Sequence, residues 1–282
     1  MVGQLDGARS EASVRSANGI EFLTWPALED AGVDVVVTTR EGGVSSGPYA
    51  SLNLGLHVGD DERVVVENRR RALGTFDASL DELVLGAQVH GSNTVVVGAA
   101  DAGRGARNAA GAVPDTDALV TKATGLVLGA LVADCSPIVL VDPEARVLAT
   151  VHAGWRGTAA GVTAEALSVM CSIGARAERV VAGIGPTVAP GSYEVGPEVA
   201  AAVQRRLEVA APGAPEHRYV LTPSSRGKWL LDVAGANRAE LLAAGVPAAQ
   251  VFTSPLATND ARFYSYRSQG RCGRFALLAR LR

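Results

Sequence analysis

The chain has 282 residues, 48% of them hydrophobic, enough to bury a sizeable core as one large domain or two modest ones. Its net charge is −3 and only 5% of its residues are aromatic, so no basic stripe with interleaved aromatics points to nucleic acid. Three scattered cysteines make no disulfide framework, the first residues lack the apolar run of a secretory signal, and no stretch approaches the roughly 18 apolar residues of a membrane span, so a soluble cytoplasmic protein with no membrane partner is expected.

Residues 1–19, rich in Ser, Ala, Arg and Glu, are expected to form a disordered tail, and 20–282 a single domain. A first strand is predicted over 33–39, followed by an irregular segment, 40–49, where Gly and Pro dominate. A helix follows over 61–73, with Asp60 or Asp61 able to cap it and Val64, Val65, Asn68 and Leu73 giving a rough inner face. Two β-like runs, 83–89 and 93–97, flank a His90-Gly91 turn, and 99–112 reads as a Gly/Ala-rich surface loop. Strands are predicted over 118–121 and 126–132, and a pair over 138–141 and 147–151 around the Asp142-Pro143 turn.

The period over 158–171 predicts a helix, and 180–184 a strand ending in Gly185-Pro186. Another helix, 197–207, has Pro in its first turn, and 212–215 is a loop. A helix over 231–244 is capped by Asp232 and followed by Gly245, and a last strand spans 275–281. Strands and helices mix without strict βαβ alternation, so the expected class is α+β in one domain.

Three residues share unusual surroundings. His90 sits in Gln88-Val89-His90-Gly91, Cys135 in Ala133-Asp134-Cys135-Ser136-Pro137, and His152 in Val151-His152-Ala153-Gly154-Trp155-Arg156-Gly157. Each ends an apolar run and precedes small or turn-forming residues. Two imidazoles and one thiolate suit zinc and leave a fourth position for water or substrate, with copper the second choice. The same residues, with Cys135 as nucleophile and a histidine as base, would make a metal-free cysteine enzyme, and the side-chain chemistry alone does not separate the two. Asp134 either orients a ligand and moves a proton or only marks a strand end.

Arg40, Arg156 and Arg267 each lie beside flexible glycine-containing backbone, a setting that suits phosphate or carboxylate, or else a solvated surface. Asp115 and Asp117 flank Thr116 in a pattern that reads as turn chemistry. His57 and His217 lack comparable surroundings and are taken as structural or surface residues.

A longer series of motifs runs through the chain: Thr38-Thr39-Arg40-Glu41-Gly42-Gly43-Val44-Ser45, Ser51-Leu52-Asn53-Leu54-Gly55, His57-Val58-Gly59-Asp60-Asp61 and Asn68-Arg69. It continues through the three segments above, with Asp115-Thr116-Asp117-Ala118, Gly183-Ile184-Gly185-Pro186 and Ser265-Tyr266-Arg267. In this order the motifs resemble the YfiH-like family, also called laccase-domain or multicopper polyphenol oxidase proteins. The resemblance covers roughly 33–282.

It implies a layered α/β/β/α fold related to some cysteine hydrolases. It also implies a zinc-dependent purine nucleoside phosphorylase that uses phosphate on adenosine, inosine and S-methyl-5′-thioadenosine and also deaminates adenosine. Under it, His90, Cys135 and His152 hold the metal, with Asp134 beside them. Arg40, with Arg156 or Arg267, is expected to hold phosphate, and Asn53 and Tyr266 to contact the sugar or base. Some bacterial members are linked to peptidoglycan editing, which corresponds to the cysteine-hydrolase alternative acting on a wall precursor. The laccase label fits poorly, because four histidines cannot build the several copper sites of a blue-copper oxidase.

Overall fold

The segment Phe275–Leu281 shows how this sequence makes layers. Phe275, Leu277, Ala279 and Leu281 join one buried cluster, while Ala276 and Leu278 join another. Side chains on a strand alternate between faces, so a run that is apolar except for Arg280 is a strand covered on both sides. The structure, a computed structural model, describes residues 12–282, with the side chains of 215 and 216 left aside.

Its strands in chain order are β1 (Ser13–Ala17), β2 (Ile20–Thr24), β3 (Val33–Thr38), β4 (Leu83–Leu85), β5 (Thr94–Val96), β6 (Ala118–Thr121), β7 (Val127–Val132) and β8 (Ser136–Asp142). They continue with β9 (Val147–Ala153), β10 (Val181–Ile184), β11 (Glu194–Val195), β12 (Leu221–Pro223), β13 (Trp229–Leu231), β14 (Val251–Thr253) and β15 (Phe275–Leu281). The α-helices are α1 (Pro26–Asp30), α2 (Glu62–Leu73), α3 (Trp155–Ala160), α4 (Val162–Ser172), α5 (Pro197–Ala210), α6 (Val233–Ala243) and α7 (Tyr266–Gln269).

One mixed sheet has the order β1-β2-β3-β15-β7-β4, a second β14-β10-β8-β9-β6-β5, and a small third β11-β13-β12. The two large sheets face each other across a core that includes Val35, Val37, Leu128 and Leu277 from one and Leu119, Val139 and Leu148 from the other. On the outside of the first sheet, Ala72 and Leu73 of α2 pack with Leu52, Leu54 and Leu278. On the outside of the second, Val162, Ala166 and Met170 of α4 and Leu241 of α6 cover Val120, Leu140 and Val151. The order of layers is therefore α/β/β/α, as the family resemblance implies.

Several local expectations need correction. The tail expected over 1–19 lies mostly outside the described residues, but Ser13–Ala17 is a strand paired with Ile20–Thr24. The runs flanking His90 do not pair with each other: β4 runs beside β7 in the first sheet and β5 beside β6 in the second. The single helix expected over 158–171 is two helices, broken at Gly161 with φ of 82°. A side chain there would adopt a rare backbone conformation and run into the Arg206 guanidinium. The helix capped by Asp232 begins at Val233, because Leu231 ends β13. Among the described residues, no helix is long and apolar enough to cross a membrane.

Candidate active site

Strand register brings the site together. β8 and β9 form an antiparallel pair in which Ser136 faces Ala153 and Pro137 faces His152. Continuing that register by one residue sets Cys135 opposite Gly154. A Cβ at position 154 would lie 2.9 Å from Cys135 Sγ and 3.0 Å from His90 Cδ2, so glycine is the residue that lets the three groups converge. His152 shares its face of β9 with Leu148 and Thr150, turned away from the helices that cover Val151 and Ala153. It is 3% exposed, Cys135 is half-buried and His90 is exposed.

The ligand atoms of His90, Cys135 and His152 all lie within 4.8 Å of one another. The two rings meet edge to face, with centroids 4.7 Å apart. Two nitrogens and a sulfur on rigid strand ends fit a zinc-type ion, and His152 is already oriented for it. Its Nδ1 lies 2.8 Å from Asp117 Oδ1, which leaves Nε2 as its free ligand atom. Asp117 reaches this place because β6 runs antiparallel to β9: Ala118 faces Val151, and the His152 amide donates to the Asp117 carbonyl at 2.8 Å.

The Asp117 carboxylate does more than hold one ring. It accepts the amides of Val89 at 3.2 Å, His90 at 3.0 Å and Gly91 at 2.7 Å. This grip holds His90 in left-handed backbone with φ of 63°, a conformation costly for a residue with a side chain. One carboxylate thus positions both imidazoles. The sequence pattern read Asp117 as a turn residue, and only the pairing of β6 with β9 reveals its place in the site.

The electrostatics follow from these contacts. Burial alone would raise the Cys135 thiol, but the charge and hydrogen bond of His152 and the hydrogen bond of His90 overcome it and hold the thiol down at about 6. Burial would lower His152, but the Cys135 charge and the Asp117 hydrogen bond carry it up to about 9. Asp117 stays below its ordinary range: burial works against ionisation, and His152 and the Gly91 and Val89 amides outweigh it.

The three residues open onto a cavity of about 890 Å³, within the range of ligand pockets. Trp155, Tyr193 and Tyr266 supply aromatic wall, and Leu56, Leu85 and Leu131 supply aliphatic wall. Arg156 and Arg267 also line it; Arg156 stacks on Trp155, while Arg267 reaches the Glu194 carbonyl and lies over Tyr193.

Asp134 lines the cavity too, but its carboxylate is committed elsewhere. Its Oδ1 accepts Thr258 Oγ1 at 2.6 Å and Ser265 Oγ at 2.7 Å, and its Oδ2 accepts the Arg267 amide at 2.6 Å. With φ of 89°, it anchors the start of α7 instead of standing free to carry a proton.

Two expected contacts do not reach the cavity. Arg40 spends Nε and Nη2 on the Ala50 carbonyl, at 2.9 and 2.7 Å, and stacks on Tyr264. Asn53 is fully buried; it donates to Asp60 at 2.9 Å and accepts the Arg274 amide at 2.8 Å, so it shapes the backbone behind the wall. Three residues with no site role expected from the sequence do line the cavity: His57, read as structural or surface, and Arg69 and Arg274. They come from the turn before α2, from α2 itself and from the entry to β15, and no local pattern relates them.

The chain is similar over most of its length to known proteins. Residues 34–282 match the family described as multi-copper polyphenol oxidoreductase laccase. The chain is 39% identical to a protein of Geobacillus stearothermophilus named purine nucleoside phosphorylase YlmD, over 90% of this chain and 92% of that one. It is 35% identical to a protein from an unknown prokaryotic organism named adenosine deaminase RL5, over 79% of this chain and 83% of that one. The crystal structure of Bacillus licheniformis YfiH superposes with a TM-score of 0.88 at 28% identity, covering 95% of this chain and 99% of that one.

Proposed function

We propose, from the premise that this chain belongs to the multi-copper polyphenol oxidoreductase laccase family, also known as the YfiH family, that it is a cytoplasmic zinc-dependent purine nucleoside phosphorylase with adenosine deaminase activity. Adenosine, inosine and S-methyl-5′-thioadenosine are its expected substrates, with phosphate. The observation that carries this reading is the convergence of His90, Cys135 and His152, under one Asp117 clamp, on a cavity of nucleoside size. The relatives named phosphorylase and deaminase support it. Four histidines do not supply the ligands of several copper centres, which argues against oxidase chemistry despite the family's description.

When bound, zinc supplies Lewis acidity and makes water nucleophilic near neutral pH. Around it the chain's own groups orient and exclude. Asp117 fixes the His152 tautomer and carries the His90 backbone. Tyr193, Tyr266 and Trp155 offer flat faces for a purine ring and shed water from it. Arg156 and Arg267 at the rim offer hydrogen bonds to the nucleoside. Metal analysis of the purified protein, followed by incubation with adenosine with and without phosphate, tests the reading. Bound zinc, with adenine and ribose 1-phosphate formed only when phosphate is present, is the expected result. Inert, metal-free protein would overturn it.

One observation favours a second reading, a cysteine hydrolase acting on a peptidoglycan precursor. The Cys135 sulfur and the His152 ring lie side by side, each favouring the other's charged form, as a nucleophilic cysteine and its base do. In that case chelated protein keeps its activity and a thiol alkylating agent abolishes it through an adduct at Cys135. In the zinc reading chelation removes deamination and added zinc restores it.

A further inference from the structure

The cavity holds more positive charge than the metal ligands or the chain's own carboxylates account for. Arg69, on the inner face of α2, is 3% exposed. Its Nε donates to the Leu54 carbonyl at 2.8 Å, and its Nη1 to the carbonyls of Gly105 at 2.6 Å and Ala106 at 2.9 Å. Arg274 is half-buried and gives Nη1 to the carbonyls of Cys272 and Gly273, both at 3.0 Å. Neither guanidinium has a carboxylate in ion-pair range among the described residues, and each has donors left over. By contrast the part-buried Arg179 and Arg206 do sit on acids, Asp142 and Glu240. Burying a cation without an anion is expensive, and proteins seldom keep one unless something else meets it.

His57 stands in the same part of the wall, on the turn Leu56–Val58. Burial and the charges of Arg274 and Arg69, then those of His152 and His90, push its imidazole down to about 4. A group surrounded by cations marks a place where the local potential favours an anion. Among the described residues Asp134 is the one carboxylate in the cavity wall, and its oxygens are taken by Thr258, Ser265 and the Arg267 amide. Arg156 and Arg267, the other cavity arginines, are exposed and stacked on aromatic rings, so they carry no comparable unmet charge.

We infer that Arg69, Arg274 and His57 form an anion subsite that holds inorganic phosphate, the nucleophile, in the same cavity as the metal ligands. The phosphorylase reading supplies only the identity of the ligand; the unpaired charge stands without it. In the step this serves, an oxygen of hydrogen phosphate bonds to the ribose C1′ as the bond from C1′ to the purine nitrogen breaks. The electron pair leaves with the purine, and the proton of the hydrogen phosphate ends on that base. The two guanidinium groups meet the phosphate oxygens with planar pairs of donors, and the His57 ring can donate one further hydrogen bond.

The test is equilibrium dialysis of radiolabelled inorganic phosphate against the purified holoprotein, without nucleoside, alongside the phosphate and adenosine KM values of phosphorolysis. Arg274→Gln changes a half-buried side chain and should weaken phosphate binding about tenfold or more, the size expected for losing a hydrogen-bonded charge. The phosphate KM should rise by a similar factor and the adenosine KM much less. Arg69→Met should have the larger effect; if it fails to fold, Arg274→Gln and His57→Ala still decide. Unchanged phosphate binding in Arg274→Gln, or an equal loss in Arg156→Gln, would overturn the subsite. So would adenosine 5′-monophosphate binding more tightly than adenosine through Arg274, since the subsite would then hold a nucleotide's own phosphate. Phosphate bound through Arg274 in a protein without phosphorolysis would leave the subsite standing and remove the phosphorylase reading.

Discussion

Asp117 carries more of the site than any ligand does. It holds His152 by the ring and His90 by the backbone, so its loss frees both imidazoles at once. Asp117→Asn keeps the shape but weakens the hydrogen bond to His152 and the grip on three amides. We expect metal affinity to fall about 10–100-fold, the usual effect of losing such a supporting carboxylate, with little change in overall fold. Competition against a chelator of known affinity measures it; an unchanged constant would show that the clamp is dispensable. Arg40 teaches the opposite lesson. Its glycine-rich neighbourhood looks like an anion site, yet its guanidinium closes the 40–50 loop on itself through the Ala50 carbonyl. Arg69, with no such neighbourhood, lines the cavity. Open backbone beside an arginine predicts where it is free to turn, not which way it turns.

At the scale of elements, the β8–β9 hairpin holds Cys135 and His152, and its turn is locked from the far end. Asp142 is fully buried and accepts the amides of Glu144 and Ala145 at 3.0 Å and of Arg176 at 2.8 Å. It also accepts Arg179 Nε at 3.0 Å and Nη2 at 2.8 Å. Burial opposes its ionisation, but these donors prevail and hold it below the ordinary 3.8. A depressed carboxylate adds stability above its unfolded pKa and loses it as pH falls through the folded one. Asp142→Ala should therefore destabilise the fold at pH 7, chiefly by leaving the buried amides that the carboxylate accepts without a partner, about 1–3 kcal/mol. Urea unfolding should show that difference shrinking below about pH 3.8; a constant difference would mean that the charge is not what matters. A second break in regularity, at Gly161, has its own cause. Positive φ ends α3, and the following helix starts in a new direction, so the hydrophobic period survived in the sequence while the axis did not.

For the molecule as a whole, what was legible was what repeats. β15 could be read to its ends, because six of its seven residues are apolar and packed between two layers, and the one charged residue, Arg280, stands near the strand end where it pairs with Asp34. The three candidate metal ligands stood out because each follows an apolar run, and the structure brings them together. The small sheet β11-β13-β12 was not, since strands of two or three residues carry no period. The anion subsite was not either, because residues 57 and 69 meet residue 274 only when the last strand joins the first sheet. That division runs through the cavity. Asp117, Cys135 and His152 hang from the second sheet, whereas Arg69 and Arg274 come from α2 and β15 on the first. The chain also passes repeatedly between the sheets, so neither half is a continuous piece of sequence. This gives the protein a timetable as it forms. The metal residues lie within one local stretch, 90–152, whereas the charged wall must wait for the last strand to close the first sheet, and distant pairings come slowly. In refolding from urea with zinc present, ion capture should precede the return of phosphorolysis, and their simultaneous recovery would mean that the two sheets assemble as one event.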